Sequence, residues 1–419
     1  MKIYSTFDEV KIDPQLGVLG SAVQRALALE ERGTPVLRWG VVAANGEQAV
    51  VEYALASERI GPAWLTEGNA EKGESSGKQC TALVVPTGVG ARIGGFIADA
   101  GPLALAIESM SDVSIIHPNV VNGADFYGAG NKSLYTDGLS LDRFFAGQLR
   151  FAPPTRRKIG LLIEELPSAD MNRIMNSANA IRAIHGLDIV GYAVTGKLNA
   201  NVIKSKRGHY TGEVGNAEAL LEGADKLRSA GANAIAVVTA CGGTDATDWH
   251  AHYAEAGPNP VGTLEALISR YLTRVTGIPT AHAPAYHGPI GEFDGIADPR
   301  AAGEIASGTG LPCILLGLAR SPLTVTQGGT GVRDLTSIIV PYGCAGGMPA
   351  WAAAKYDIPL VAIRSNTCLV GVTADNLDSR LRPIIVENCA EALGFLACQR
   401  AGVAWSSMHG IPQPISQIK

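Results

Sequence analysis

The chain has 419 residues, 34 basic against 39 acidic side chains, a net charge of −5 and 46% hydrophobic residues. That balance argues against nucleic-acid binding, which needs a concentrated basic face. No apolar run reaches the roughly 18 residues of a membrane span, and the length suits two or three domains of roughly 150 residues.

The opening residues 1–13 (MKIYSTFDEVKID) lack the apolar core of a secretion signal. Seven scattered cysteines (Cys80, Cys241, Cys313, Cys344, Cys368, Cys389, Cys398) show no CxxC pair, which excludes a zinc ribbon and fits reduced thiols. The expectation is a cytoplasmic protein. Asp13-Pro14 starts a helix that Gly33 ends, and strands at 36–42 and 49–56 flank the turn Asn45-Gly46. Residues 67–78 read as a polar linker.

An apolar run at 82–85 ends in Pro86-Thr87-Gly88-Val89-Gly90. The pair Gly94-Gly95 and a small-residue helix to Met110 follow, and a strand at 113–116 stops at His117-Pro118-Asn119. A Gly/Asn loop spans 122–131, and Pro153-Pro154 marks a boundary. Strands are then expected at 158–163, 189–194, 234–238, 278–283, 313–316, 337–340, 360–363 and 383–386. Helices are expected at 168–185, 216–230, 261–276, from Asp298-Pro299, at 348–356 and at 388–401. Such alternation implies parallel sheets with right-handed crossovers.

The segment 337–367 echoes the first glycine turn, Pro341/Gly343/Gly346-Gly347/Asn366 matching Pro86/Gly88/Gly94-Gly95/Asn119. The expected fold is therefore α/β, with parallel, doubly wound (Rossmann-like) sheets in two related lobes facing one cleft, and a small N-terminal α/β lobe. The segments are 1–78 (N-terminal lobe), 79–155 (first glycine-turn module), 156–300 (middle) and 301–419 (second glycine-turn module).

Ligands in open α/β sheets sit beyond the carboxyl ends of the strands. Gly88-x-Gly90-x-x-x-Gly94 has one residue too many for the dinucleotide fingerprint, and no GxxxxGK[ST] is present. His117 and His282, each at a strand end, suit proton transfer near neutral pH. Asn119, Asn122 and Asp125 cluster with His117, and Asp99 sits in an apolar segment where a buried carboxylate needs a partner. His250-x-His252 reads as a loop beside Trp249 and Tyr253, a weak metal-ligand pattern. Cys344 and Cys241 border glycine turns where a thiol can be activated.

These residues also carry a resemblance. VVPTGVG (84–90), IGGFIADAGP (93–102), HPNVVNGADF (117–126), AHAPA (281–285), the Val340–Gly347 turn and Asn366-Thr367 resemble the family catalogued as domain of unknown function 3326, common in cyanobacteria, over residues 80–400. The resemblance implies a coherent module and assigns no activity. The Gly346-Gly347-Met348-Pro349 turn is similar to that of aminoimidazole-ribonucleotide carboxylase/mutase proteins, which implies a nucleotide-like or carboxylated ligand.

The resulting expectation is an enzyme acting on a small polar metabolite by acid–base chemistry, as hydrolysis or lyase-type cleavage near an amide or carboxylate. His117 is the general acid/base, Asp99 assists it, and His282 is a second proton carrier. Thr87, Gly88, Gly90, Gly94, Gly95, Asn119, Asn122, Gly346, Gly347, Asn366 and Thr367 hold the substrate. One alternative is a racemase or isomerase using Cys241 and Cys344; another is a non-catalytic metabolite- or nucleotide-binding regulator. The sequence requires no cofactor and assigns no metal. The partner is a small-molecule ligand rather than nucleic acid or membrane, and a homo-oligomer is compatible with it.

Overall fold

The computed structural model describes residues 1–61, 63–65, 77–96, 99–121, 132–285, 293–306, 310–377 and 381–408. The chain is mixed α/β, with two parallel sheets and two antiparallel ones.

The largest sheet has six parallel strands: β4 (Cys80–Leu83), β5 (Val113–Ile116), β6 (Ser133–Tyr135), β15 (Ser337–Pro341), β16 (Leu360–Ile363) and β17 (Ile384–Val386). Their order across the sheet is β17-β16-β15-β4-β5-β6. The four inner strands are almost wholly buried, as cover by helices on either side demands. Ala82, Val84, Ile338 and Val340 pack toward α1 (Gly17–Glu31), α3 (Gly138–Phe145) and α10 (Met348–Tyr356). Leu83, Val85 and Ile339 face α2 (Gly101–Met110) and α11 (Cys389–Ala401).

The expected pair of lobes facing one cleft is corrected here. Strands β4 and β15 pair directly, Ser337 against Thr81 through Ile339 against Leu83. The two glycine-turn segments are thus neighbouring halves of one sheet. Side-by-side pairing satisfies the backbone of both inner edges, which facing lobes would leave open.

A second parallel sheet is built from β8 (Lys158–Glu164), β9 (Asp188–Thr195), β12 (Ala234–Thr239) and β13 (Thr280–Pro284), in the order β13-β12-β8-β9. On one face it packs α4 (Ser168–His185) and α9 (Gly310–Ala319). On the other it packs α5 (Ala217–Ser229) and α7 (Gly262–Thr276). The antiparallel sheet contains β1 (Ile3–Lys11), β2 (Val36–Ala44), β3 (Gln48–Ala56), β10 (Ala200–Lys204) and β11 (Tyr210–Val214), ordered β10-β11-β1-β3-β2. The N-terminal strands therefore share a sheet with strands from the middle segment. A short ribbon joins β7 (Arg150–Ala152) to β14 (Leu323–Val325).

Helix α7 lies between the antiparallel sheet and the second parallel sheet, and it positions the site. Leu264, Leu267, Ile268, Tyr271 and Leu272 are fully buried at helical spacing; Leu267→Ala would cost about 2–5 kcal/mol. Its last turn is anchored by Arg274, which donates to Glu30 at 2.7 and 3.0 Å and to the Val36 carbonyl at 2.9 Å.

Two local readings are corrected. Residues 313–316 lie in helix α9, not a strand. Leu311, Ile314, Leu315 and Leu318 press on the second parallel sheet, and a short apolar run buried all round carries no period that separates helix from strand. His250 and His252 lie in helix α6 (Ala246–Glu255) rather than a loop, because Asp245 and Asp248 form a reciprocal capping box at its start.

Candidate functional site

A cavity of about 270 Å³ opens where the three larger sheets meet. Thr87, Gly88, His117, Asn119, Gly346 and Gly347 line it from beyond the carboxyl ends of β4, β5 and β15. Asn259, Thr263, Glu265, Ser269 and Arg270 come from the start and one face of α7, and His282 from β13. Arg38, Gly40 and Glu52 come from the antiparallel sheet, and His209 from the turn that joins β10 to β11.

Gly88 is required for this convergence. Its φ is +74°, and a Cβ there would overlap the Thr263 hydroxyl, so only glycine lets the turn lie against the first turn of α7. That first turn is capped by Asn259, whose Oδ1 accepts the N–H groups of Val261 at 3.0 Å and Gly262 at 3.1 Å.

His117 is buried, and its Nε2 accepts the Val85 N–H at 3.0 Å. Burial, with a smaller push from Arg270, lowers its pKa to about 3. The imidazole is therefore neutral at pH 7, with one nitrogen committed to the backbone. Asn119 donates through Nδ2 to the carbonyls of Val85, Pro86 and Gly94 at 2.9, 3.2 and 2.7 Å. Asp99 Oδ1 accepts from the Gly94 and Phe96 N–H groups at 2.9 and 3.2 Å, while its Oδ2 is buried with no hydrogen-bond partner among the described residues. Burial raises the Asp99 pKa to about 6, against the pull of those two donors and of Arg300.

Asn366 takes the same turn from the other side, bonding both the N–H and the carbonyl of Ile93. Asp99, Asn366, Thr367, Gly90 and Gly94 are not among the described residues that line the cavity. Three of the polar side chains read as substrate ligands or assistants thus hold the Ile93–Phe96 turn.

His282 has a different setting. Its Nε2 lies 2.8 Å from Thr239 Oγ1 and its Nδ1 3.4 Å from Glu265 Oε1. A carboxylate only accepts, so Nδ1 carries the proton toward Glu265 and Nε2 accepts from the Thr239 hydroxyl. The His282 side chain is 0% exposed and that of Glu265 24%, so the carboxylate is the open end of this chain.

Among the charged lining residues, Arg270 is ion-paired with Asp142. Arg38 makes no hydrogen bond or ion pair among the described residues. Among the described residues Glu52 makes no side-chain hydrogen bond, and the His209 Nε2 that approaches it at 3.9 Å has no hydrogen-bond partner either. Burial lowers the His209 pKa despite Glu52.

Cys344 lines the cavity and stands 3.1 Å from Cys368, Sγ to Sγ. Cys241 is not among the lining residues, and burial together with Glu265 pushes its thiol far up. His252 is fully buried, with Nε2 2.9 Å from Glu304 and Nδ1 3.0 Å from the Gly257 carbonyl, whereas His250 faces outward 3.8 Å from Glu255. The HxH pair therefore splits between core and surface. Asn122 and Asp125 lie outside the described residues.

Arg38, Glu52 and Glu265 escaped sequence reading. Glu265 had a signal: it sits in the first turn of a helix whose apolar face packs on the strand that ends beyond His282.

The model of a protein family of unknown function, DUF3326, matches residues 80–409. The chain belongs to this family. It is also 33% identical over 331 residues to an uncharacterised lipoprotein of Synechococcus sp., a match covering 77% of this chain and 91% of the relative. No solved structure matches. The relative's name corrects the cytoplasmic expectation drawn from the polar opening residues, since a lipoprotein is held at a membrane. Among the described residues no helix is long and apolar enough to cross one. Within the DUF3326 match lie the glycine turns, His117, Glu265 and His282; Arg38 and Glu52 lie before it.

Proposed function

We propose that this DUF3326 protein is an enzyme that transforms a small polar metabolite in the central cavity by acid–base chemistry, of the hydrolase or lyase kind acting beside an amide or carboxylate. The observation that carries this reading is the Glu265–His282–Thr239 hydrogen-bonded chain, whose open carboxylate faces the cavity. Glu265 is the proton-exchanging group. His282, fixed by Thr239, orients it and is the positioning residue behind it. His117 helps shape the pocket as a neutral acceptor, and the turn at Gly88 with the start of α7 confines the substrate's polar end.

The site's location supports the same reading. The strand order has its two halves meeting at β4 and β15, which we take as Rossmann-like double winding around an internal repeat. The cavity lies beyond that junction, where such sheets take ligands.

The test is a metabolite-depletion assay. The purified protein and Glu265→Gln are each incubated with a cell extract, and small molecules are followed by mass spectrometry. The wild-type chain is expected to consume one species and produce another, and the folded Glu265→Gln variant to do neither. A folded wild-type chain that changes no species overturns the proposal.

A further inference from the structure

The antiparallel sheet presents two opposite charges to the cavity without pairing them. In the β2–β3 register, Arg38 stands opposite Ala54 and Gly40 opposite Glu52. Residues opposite each other point to the same face, and so do residues two apart. Arg38 and Glu52 are therefore diagonal neighbours on the cavity face, roughly 7–8 Å apart at their backbones. Between them is Gly40, where a Cβ would meet nothing within 4 Å, so the space above it is open.

Among the described residues neither charge has a hydrogen-bond partner. Arg38 is half-buried and makes no hydrogen bond or ion pair among the described residues. Glu52 is 8% exposed, and its nearest titratable neighbour is the His209 imidazole at 3.9 Å. The His209 Nδ1 lies 3.3 Å from Ser205 Oγ, and its buried Nε2 has no hydrogen-bond partner among the described residues. Burying an unpaired carboxylate is costly. A ligand that brings an ammonium group removes that cost, and its carboxylate matches the planar fork of Arg38. A phosphate or dicarboxylate would set an anion against Glu52; a diamine would set a cation against Arg38.

We infer that the cavity binds a zwitterionic amino carboxylate, its carboxylate on Arg38 and its ammonium on Glu52. This inference rests on the cavity being the substrate site proposed above, and it names that substrate's class. A volume of about 270 Å³ leaves room for a molecule the size of a free amino acid. Because Arg38 and Glu52 precede the family match at residues 80–409, this recognition is supplied by the chain's N-terminal segment, while the proton-exchanging pair comes from the family module.

The full-length protein is tested by thermal unfolding and calorimetric titration with L-alanine, L-asparagine, β-alanine and 4-aminobutyrate. Propionate and propylamine serve as the two half-ligands. At least one amino carboxylate is expected to raise Tm, since ligand bound only to the native state stabilises it, with neither half-ligand doing so. Arg38→Met and Glu52→Gln should each weaken that binding on the order of tenfold or more. No shift with any of the four, or an equal shift with propionate, overturns the inference. Either result is read on the wild-type chain alone, so a variant that misfolds does not block it. A depleted metabolite that proves to be a simple acid overturns the inference and leaves the enzyme standing. An amino carboxylate that binds and is recovered unchanged from every incubation does the reverse.

Discussion

Asn366 and Ile93 lie 273 residues apart and satisfy each other completely: the Ile93 N–H donates to Asn366 Oδ1 at 2.8 Å, and Asn366 Nδ2 donates to the Ile93 carbonyl at 2.9 Å. Asn366 is 1% exposed, so no water replaces it. Asn366→Leu fills a similar volume but leaves two backbone groups unmet. The expected loss is about 2–4 kcal/mol of stability, read as a lower urea midpoint. Ligand binding by the folded fraction should be little changed, because the side chain is not among the cavity's lining. A variant as stable as the parent would show that the turn is held elsewhere.

His117 predicts a loss of stability on acidification. Its pKa falls from an ordinary 6.5 to about 3 in the folded chain. Below pH 6.5 the unfolded chain therefore takes up a proton that the native chain refuses. The contribution is whole above pH 6.5 and declines toward pH 3, by at most about 1.4 kcal/mol per pH unit. His117→Phe keeps the ring's bulk but leaves the Val85 N–H unsatisfied, costing about 1–3 kcal/mol at pH 7. Urea midpoints measured from pH 7.5 to 5 should fall more steeply for the parent than for the variant. Parallel curves would mean the imidazole protonates freely in the native state.

Asp99 acts with the opposite sign over an overlapping range. Its folded pKa is raised from 3.8 to about 6, so the native chain holds a proton that the unfolded chain has already lost. The stabilising contribution is present below pH 3.8 and is lost as pH rises through 6. Asp99→Asn keeps an oxygen for the Gly94 and Phe96 N–H groups and removes the buried charge. The variant should match or exceed the parent's stability at pH 8, and the difference should shrink toward pH 4. Denaturation at both pH values decides it; a variant weaker at pH 8 would mean that the charge itself is needed by Arg300 nearby.

Much of this architecture was legible because the chain punctuates it locally. Helix α4 starts after Pro167 and ends at Gly186, whose φ is +66°, and both bounds agree with the expectation. Strands β5 and β16 and helix α10 also agree. The polar cluster was located but its use was not, because Asn119, Asp99 and Asn366 bond to a turn whose path no local pattern reveals. The Arg38–Glu52 corner was hidden by a bulge. Counting back from the Ala44–Ala49 pair sets Val41 opposite Glu52. A register shift between Val41 and Ala43 moves Gly40 there instead and brings Arg38 onto the cavity face.

The thiols close to the cavity predict one reactive site among seven. Cys344 donates its S–H to Cys368 at 3.1 Å, and this bond lowers the Cys368 pKa while raising that of Cys344. Burial pushes the thiols of Cys80, Cys241 and Cys389 the other way. Cys368 is also half-buried rather than enclosed. Limited iodoacetamide at pH 7 should therefore alkylate Cys368 first, as read by peptide mapping, because the thiolate is the attacking form. Cys344→Ala removes the donor, so Cys368 should label more slowly at pH 7 and approach its former rate at higher pH. Exposure alone predicts the contrary, since a smaller neighbour opens the site; faster labelling in the variant would show that access, and not the shared proton, sets this thiol's reactivity.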